Sequence, residues 1–383
     1  MKIVLAIDSY KGCMMSRQVS DIVAKALHGV VPKAQVIVVP VSDGGEGMLE
    51  AFMPVLGGYL EQIKVHGPEY DTLVPANIGF TIDGQTALIE MAQASGLAWS
   101  KNRQVVKATS YGTGELIRYA VCEKKCRRLV IGLGGSACSD GGAGMLVAMG
   151  LKLWDAAGNI LIGTPEEVPY IAGMDDSCLI KDYANVECLI ATDVSNSLYG
   201  ANGAARVFAP QKGASPSEVD FIDTQLERWS QLVERSCGLA CAKACGAGAA
   251  GGVGFALMSY LNCKVESGAS CLFRYCSMDS LLADADLVIT GEGRSDLQTL
   301  MGKLPYQVLC LAQQKQVPVW LLSGSLRNQE ELLNAGFDRL IQVSPSNMPL
   351  EKAIQPTVAA SCLQHAVRKA FIVPDRVCTN LNF

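Results

Sequence analysis

The chain has 383 residues, 49% of them hydrophobic, and a formal net charge of −5. That length predicts two domains with ample material for their cores. The acidic balance argues against a nucleic-acid binder, which carries a basic stripe, and no apolar run approaches the ~18 residues of a membrane helix.

Lys2–Ile7 reads as a buried strand. Ser16 is placed to cap a helix whose apolar residues Val19, Ile22, Val23, Ala26, Leu27 and Val30 recur at helical spacing, with Gly29 and Pro32 marking its end. Val36–Val39 is the next strand and ends at Pro40, before the turn Asp43-Gly44-Gly45-Glu46-Gly47, which completes a β-α-β unit. The pattern then changes. Tyr59–Val65, Leu73–Gly79 and Thr86–Glu90 alternate over short stretches split by Gly67-Pro68 and Asp83-Gly84, and these predict antiparallel strands. From about 109 to 200 the α/β alternation returns, with strands near Leu129–Leu133 and Cys188–Ala191 and helices near Gly114–Cys122 and Gly142–Met149. Glu218–Cys237 is a polar helix, and Ala240–Leu261 is rich in small residues. After 280 come strand Leu287–Thr290, helix Leu304–Gln314, strand Val317–Leu322, helix Gln329–Ala335, strand Arg339–Val343, a helix near Pro356–Phe371 and a loose tail. The order is that of a doubly wound α/β fold. The expected organisation is a discontinuous α/β domain over 1–60 and 280–383, a mixed α/β domain inserted over 61–279, and a site in the cleft between them.

Fifteen cysteines are scattered along the chain without a C-x-x-C pair. Cys122/Cys126 and Cys237/Cys241/Cys245 stand four apart, one face of a helix, and the three histidines lie far from them in sequence. Free thiols are expected rather than a metal cluster. Such thiols point to a reducing cytoplasm, and the N-terminal apolar stretch is too short for a signal peptide.

Chemistry-bearing residues gather in Gly-rich segments at or after strand-like runs: 7–12, 42–47, 131–136, 191–196, 210–213, 286–299 and 322–325. Open α/β sheets bind ligands beyond the carboxyl ends of their strands. Asp8, Asp43, Glu46, Asp140, Asp193, Glu292 and Asp296 are candidate partners for Mg²⁺, which takes one or two carboxylates together with phosphate oxygens and water. Lys11, Lys212, Arg294 and Lys303 can neutralise a phosphate or a carboxylate. Backbone N–H groups of Gly44–Gly47 and of Gly134-Gly135-Ser136 can cradle oxygens at a helix N-terminus. Taken singly, each acid could equally be a cap or turn residue. No Walker A motif is present, since Gly302-Lys303 is followed by Leu304. Two segments imitate a dinucleotide fingerprint. Gly246–Gly251 follows no strand and is discounted. Gly132–Ala137 does follow one, with Asp155 near the distance of a ribose-binding acid, so an NAD-dependent dehydrogenase is the competing reading. A non-catalytic ligand-binding relative is a third.

At Asp8-Ser9-Tyr10-Lys11-Gly12, Ser42–Gly47, Thr109–Gly114, Ile131–Ala137, Asp140–Gly144, Thr192-Asp193-Val194 with Asn196, Phe208–Ala214, Gly246–Gly252 and Thr290–Arg294 through Asp296, Gln298, Thr299, Gly302, Lys303 and Pro305, the chain resembles the type I glycerate kinase family over nearly its whole length. The resemblance implies a flavodoxin-like domain with a second α/β domain inserted, ATP and Mg²⁺ as cofactors, D-glycerate as substrate and 2-phosphoglycerate as product. Small-molecule substrates are implied, with no nucleic acid and no membrane; a homo-oligomer is left open. Within that frame Asp193, Lys11 and Arg294 are the catalytic candidates. Asp8, Ser9, Asp43, Gly44, Gly45, Glu46, Gly134, Gly135, Ser136, Asn196, Lys212, Gln298 and Lys303 are the substrate- and phosphate-binding candidates, and Asp140, Glu292 and Asp296 the metal ligands. The chain departs from the family pattern at Cys13, Met14, Met15, Cys138, Ser139, Ser197 and Gln307; none of these removes an acid or a cation.

Overall fold

The computed structural model describes residues 1–10, 12–41, 45 and 47–372. Its strands in chain order are β1 (Lys2–Ile7), β2 (Gln35–Val38), β3 (Tyr59–His66), β4 (Leu73–Phe80), β5 (Thr86–Glu90), β6 (Arg128–Gly132), β7 (Lys152–Trp154), β8 (Gly173–Asp175), β9 (Glu187–Ala191), β10 (Asn262–Glu266), β11 (Leu287–Ser295), β12 (Val319–Leu326) and β13 (Arg339–Gln342). They belong to two compact units, one of Met1–Asp43 with Ala269–Phe383, the other of Gly44–Gly268.

The first unit holds a five-stranded sheet in the order β13-β12-β11-β1-β2, parallel throughout. An apolar run without alternation suits a strand covered on both faces, and Ile3 through Ile7 are all fully buried. Ile3, Leu5 and Ile7 pack with Val19, Val23 and Leu27 of helix Ser16–Val30 and with Leu363 and Val367 of helix Pro356–Ile372. Helix Leu304–Gln314, with Leu304, Val308 and Leu309 buried, packs on β1, β11 and β12. Ser16 does not cap its helix. Its hydroxyl donates to Ile7 O at 2.6 Å, and the helix start is closed by Met15 N–H donating to Gln18 Oε1 at 3.0 Å.

The second unit holds a six-stranded sheet in the order β10-β9-β6-β5-β4-β3. β10, β9, β6 and β5 are parallel, while β4 and β3 continue antiparallel. The β4–β5 turn shows why. Asp83 accepts from Thr81 Oγ1 at 2.6 Å and Gln85 N–H at 3.0 Å, and Gly84 takes φ +66°, the side-chain turn chemistry that Asp-Gly encodes. β7 and β8 form a separate antiparallel pair. Helix Pro216–Cys237 begins in a capping box between Ser215 and Glu218 and buries Val219, Ile222, Leu226, Trp229 and Val233 along one face.

Among the elements that escape the sequence reading, two bear on the division of the chain and on its second sheet. Helix Met48–Leu56 carries Pro54 and follows a Gly-rich turn, which hides its period; it buries Met48, Leu49, Ala51 and Phe52 and packs on β4 and β5. It therefore belongs with the second unit, so the units divide after Asp43 rather than at 60. β10 is a half-exposed edge strand with polar residues, Asn-Cys-Lys-Val-Glu, and gives no apolar signal. Among the described residues, no helix is long and apolar enough to cross a membrane.

Candidate active site

In the first unit the candidates meet at the carboxyl edge of the parallel sheet. Asp8 follows β1, and its N–H donates to Gly291 O at 2.9 Å, which sets it beside the strand that carries Glu292. Its carboxylate accepts Ser9 N–H at 2.7 Å. β11 runs five residues past the expected end at Thr290, to Ser295. Along this extension Glu292 is 7% exposed. Its Oε1 accepts from Thr299 Oγ1 at 2.6 Å and Ser295 Oγ at 3.1 Å, and its Oε2 lies 3.6 Å from Lys303 Nζ. Ser295 Oγ in turn meets Ser323 Oγ of β12 at 2.5 Å. Arg294 pairs with Asp296 at 3.1 Å, and Asp296 accepts Gln298 N–H at 2.9 Å. Glu292 is thus an anchored carboxylate facing a half-exposed cation. The hydroxyls of Ser295, Thr299 and Ser323 that orient it are the site residues whose role the sequence reading missed. Beneath them Tyr10 donates its hydroxyl to Leu322 O at 3.1 Å. Burial, then Cys13 and Glu292 nearby, raise its pKa well above the ordinary tyrosine range.

In the second unit the parallel strands β5, β6 and β9 end at Glu90, Gly132 and Ala191. Asp193 lies two residues beyond β9 and is exposed. The backbone around it is tied, since Thr192 N–H donates to Glu266 O at 3.0 Å and Val194 N–H to Thr192 Oγ1 at 3.3 Å. Asn196 donates its side-chain amide to Asn202 O at 2.8 Å. The loop Gly134-Gly135-Ser136 follows β6, with Gly135 at φ +73° and its carbonyl accepting Leu97 N–H at 2.9 Å.

Three expected roles change. Asp140 is 1% exposed, and its carboxylate accepts Ser110 N–H at 2.7 Å, Ser110 Oγ at 2.8 Å, Gly142 N–H at 3.1 Å and Gly144 N–H at 3.3 Å. Burial raises its pKa, and these hydrogen bonds pull it back only in part. Such a carboxylate organises its loop and is not open to a metal. Lys212 is 3% exposed and directs its ammonium at Ser136 Oγ, Cys138 O and Ser139 Oγ, so it supports the loop rather than meeting a ligand itself. The helix N-terminus after Gly47 is already filled. Glu90, 2% exposed, accepts Gly47 N–H and Leu49 N–H, each at 3.1 Å, and so takes the place of the external anion expected there. Likewise Gly134–Ser136 does not open a helix, because the next one starts at Ala143. Lys11, Asp43, Gly44 and Glu46 lie outside the described residues; Gly45 lies within them, its carbonyl accepting Met48 N–H at 3.3 Å.

The dinucleotide look-alikes have structural explanations. Gly251 stands where an added Cβ would come within 2.3 Å of Cys138 O, and its carbonyl accepts Gly141 N–H at 2.9 Å. Its glycine allows two loops to touch. Asp155 closes its own turn by accepting from Ala157 and Asn159, after a strand that is not in the sheet of β6. It is not a ribose-binding acid.

The glycerate kinase family profile matches residues 3–373. This chain belongs to the glycerate kinase family. It is 38% identical to a glycerate kinase of Bacillus subtilis strain 168 over 93% of both chains, and 38% identical to a glycerate 2-kinase of Escherichia coli K12, again over 93% of both. A crystal structure from Salmonella typhimurium LT2, of a protein provisionally named glycerate kinase 2, superposes with a TM-score of 0.82 at 37% identity over 97% of both chains. The mixed α/β architecture with parallel sheets is shared with that structure. Three of the positions where this chain departs from the glycerate kinase pattern are held in the fold. Met14 and Cys138 are buried apolar residues, and Gln307 bridges Gly302 O at 2.6 Å and Ser270 Oγ at 3.0 Å.

Proposed function

We propose that this chain transfers the γ-phosphoryl group of Mg-ATP to D-glycerate and releases 2-phosphoglycerate. As a member of the glycerate kinase family it is an enzyme, a kinase that phosphorylates glycerate. We read the sheet of the first unit, whose strands run 2-1-3-4-5 when numbered within it, as the flavodoxin-like arrangement, with residues 44–268 inserted. The observation that carries the nucleotide reading is the carboxyl edge of β11. There Glu292 is locked by two hydroxyls against Lys303, and Arg294 is paired with Asp296, in a chain without a Walker A lysine.

Phosphoryl transfer leaves little covalent work to the protein, so positioning and charge stabilisation dominate. Arg294 and Lys303 are half-exposed cations suited to a phosphate or the glycerate carboxylate. Asp193 accepts or orients the proton of the attacking hydroxyl. Lys11, Asp8, Ser9 and the backbone N–H groups of Gly134-Gly135-Ser136 complete the contacts to the anionic substrates, and Gln298 and Asn196 are further polar partners. The described residues contain no group of three His, Cys, Asp or Glu able to hold a metal alone. That fits an ion carried in with nucleotide, which needs one or two carboxylates from the protein, and Glu292 and Asp296 supply them. Bound there, the ion would neutralise phosphate charge.

Release of ADP should depend on D-glycerate, stop in excess chelator and return with added Mg²⁺. Full turnover in chelator would remove the metal from the scheme, and ADP release indifferent to glycerate would remove the acceptor.

A further inference from the structure

Lys212 ends a short turn, Pro210–Lys212, and is buried among uncharged hydrogen-bond partners. Its Nζ donates to Ser136 Oγ at 3.0 Å, Cys138 O at 2.5 Å and Ser139 Oγ at 3.4 Å. An ammonium offers donors only, so these contacts exhaust it. Burying it is costly, and desolvation lowers its pKa, with Cys138 and Asp140 opposing. A neutral donor could close the same loop at lower cost, so the cation calls for a reason. Its charge sits directly against Ser136, at the end of the Gly134-Gly135-Ser136 backbone. The far side of that backbone is pinned by Leu97 N–H to Gly135 O and Ala137 N–H to Ser95 O, both at 2.9 Å.

We propose that Lys212 is a positioning residue for phosphoryl transfer: through Ser136 and the carbonyl of Cys138 it fixes the Gly134–Ser139 loop and sets a positive charge behind it, so that Gly134, Gly135 and Ser136 present their N–H groups to an anionic part of the substrates. This rests on the anion-binding role proposed for that loop. Misplacing a positioned group by about 1 Å can cost ~100-fold in rate. Lys212→Met should therefore lower kcat/KM about 10- to 100-fold, with the thermal midpoint reported alongside. Ser136→Ala should lower it less, and the double variant should be no worse than Lys212→Met, because both cut the same link. Losses that multiply would mean Lys212 meets the substrate on its own, and unchanged kinetics in folded Lys212→Met would make it purely structural; either overturns the inference. If Lys212→Met does not fold, Ser139→Ala carries the test. Ser139 is fully buried and cannot touch substrate, so a fall in kcat/KM supports the inference and unaltered kinetics overturns it. Absence of glycerate-dependent turnover in the unmodified enzyme would overturn the proposed function and this inference together, whereas normal turnover with insensitive variants would overturn this inference alone.

Discussion

Asp193→Asn lowers kcat by about 10²- to 10⁴-fold, the span over which a positioned acid or base assists proton transfer, while the far-UV circular dichroism and melting temperature stay close to those of the unaltered chain. The expectation follows from placement. Asp193 is exposed at the carboxyl edge of a parallel strand, and the residues on either side are anchored through Thr192 and Val194, so the amide substitution leaves those backbone bonds in place. KM for glycerate should move much less than kcat, because the lost interaction belongs to the transition state. The opposite pattern, loss of folding with intact specific activity in what remains soluble, would make Asp193 a structural residue.

Glu292→Gln lowers kcat/KM by about 10²- to 10³-fold, comparable with removing one preorganised electrostatic contact to a transition state. The amide keeps an oxygen for Ser295 and Thr299 but turns an NH₂ toward Lys303, where Oε2 now faces the ammonium at 3.6 Å. If Glu292 also holds the ion, the Mg²⁺ concentration needed for half-maximal rate rises. Asp140→Asn supplies the contrast. Its carboxylate receives only donors, so an amide leaves one donor facing another at a cost of roughly 1–3 kcal/mol. The melting temperature should drop and the Mg²⁺ dependence stay unchanged. An Asp140→Asn enzyme of normal stability with altered Mg²⁺ dependence would return Asp140 to the metal set.

Much of the fold is legible in the sequence because its signals are local. Lys2–Ile7 is an unbroken apolar run, and Leu304–Gln314 carries its helical period with Pro305 in the first turn; both are observed with the expected limits. Asp83-Gly84 encodes the turn that makes β4 and β5 antiparallel. What is not legible is long-range. Glu90 is the last residue of β5, and nothing near it in sequence indicates that Gly47 and Leu49 will donate to it. Asp140 sits in a Gly-rich segment that reads the same whether the acid binds a metal or folds the loop; only its burial and its bonds to Ser110 decide. Lys212 poses the same ambiguity with the opposite charge. Glu292 is a candidate acid from the sequence, but the hydroxyls that aim it come from Ser295, Thr299 and, one contact further, Ser323 on the next strand.

The most direct measurement is phosphorus NMR of the reaction of the purified chain with D-glycerate and Mg-ATP. The account predicts that ATP is converted to ADP in step with one new phosphomonoester, coupled to the proton on C2 and matching authentic 2-phosphoglycerate. A phosphoester on C3, or ATP consumed with only inorganic phosphate appearing, would contradict it.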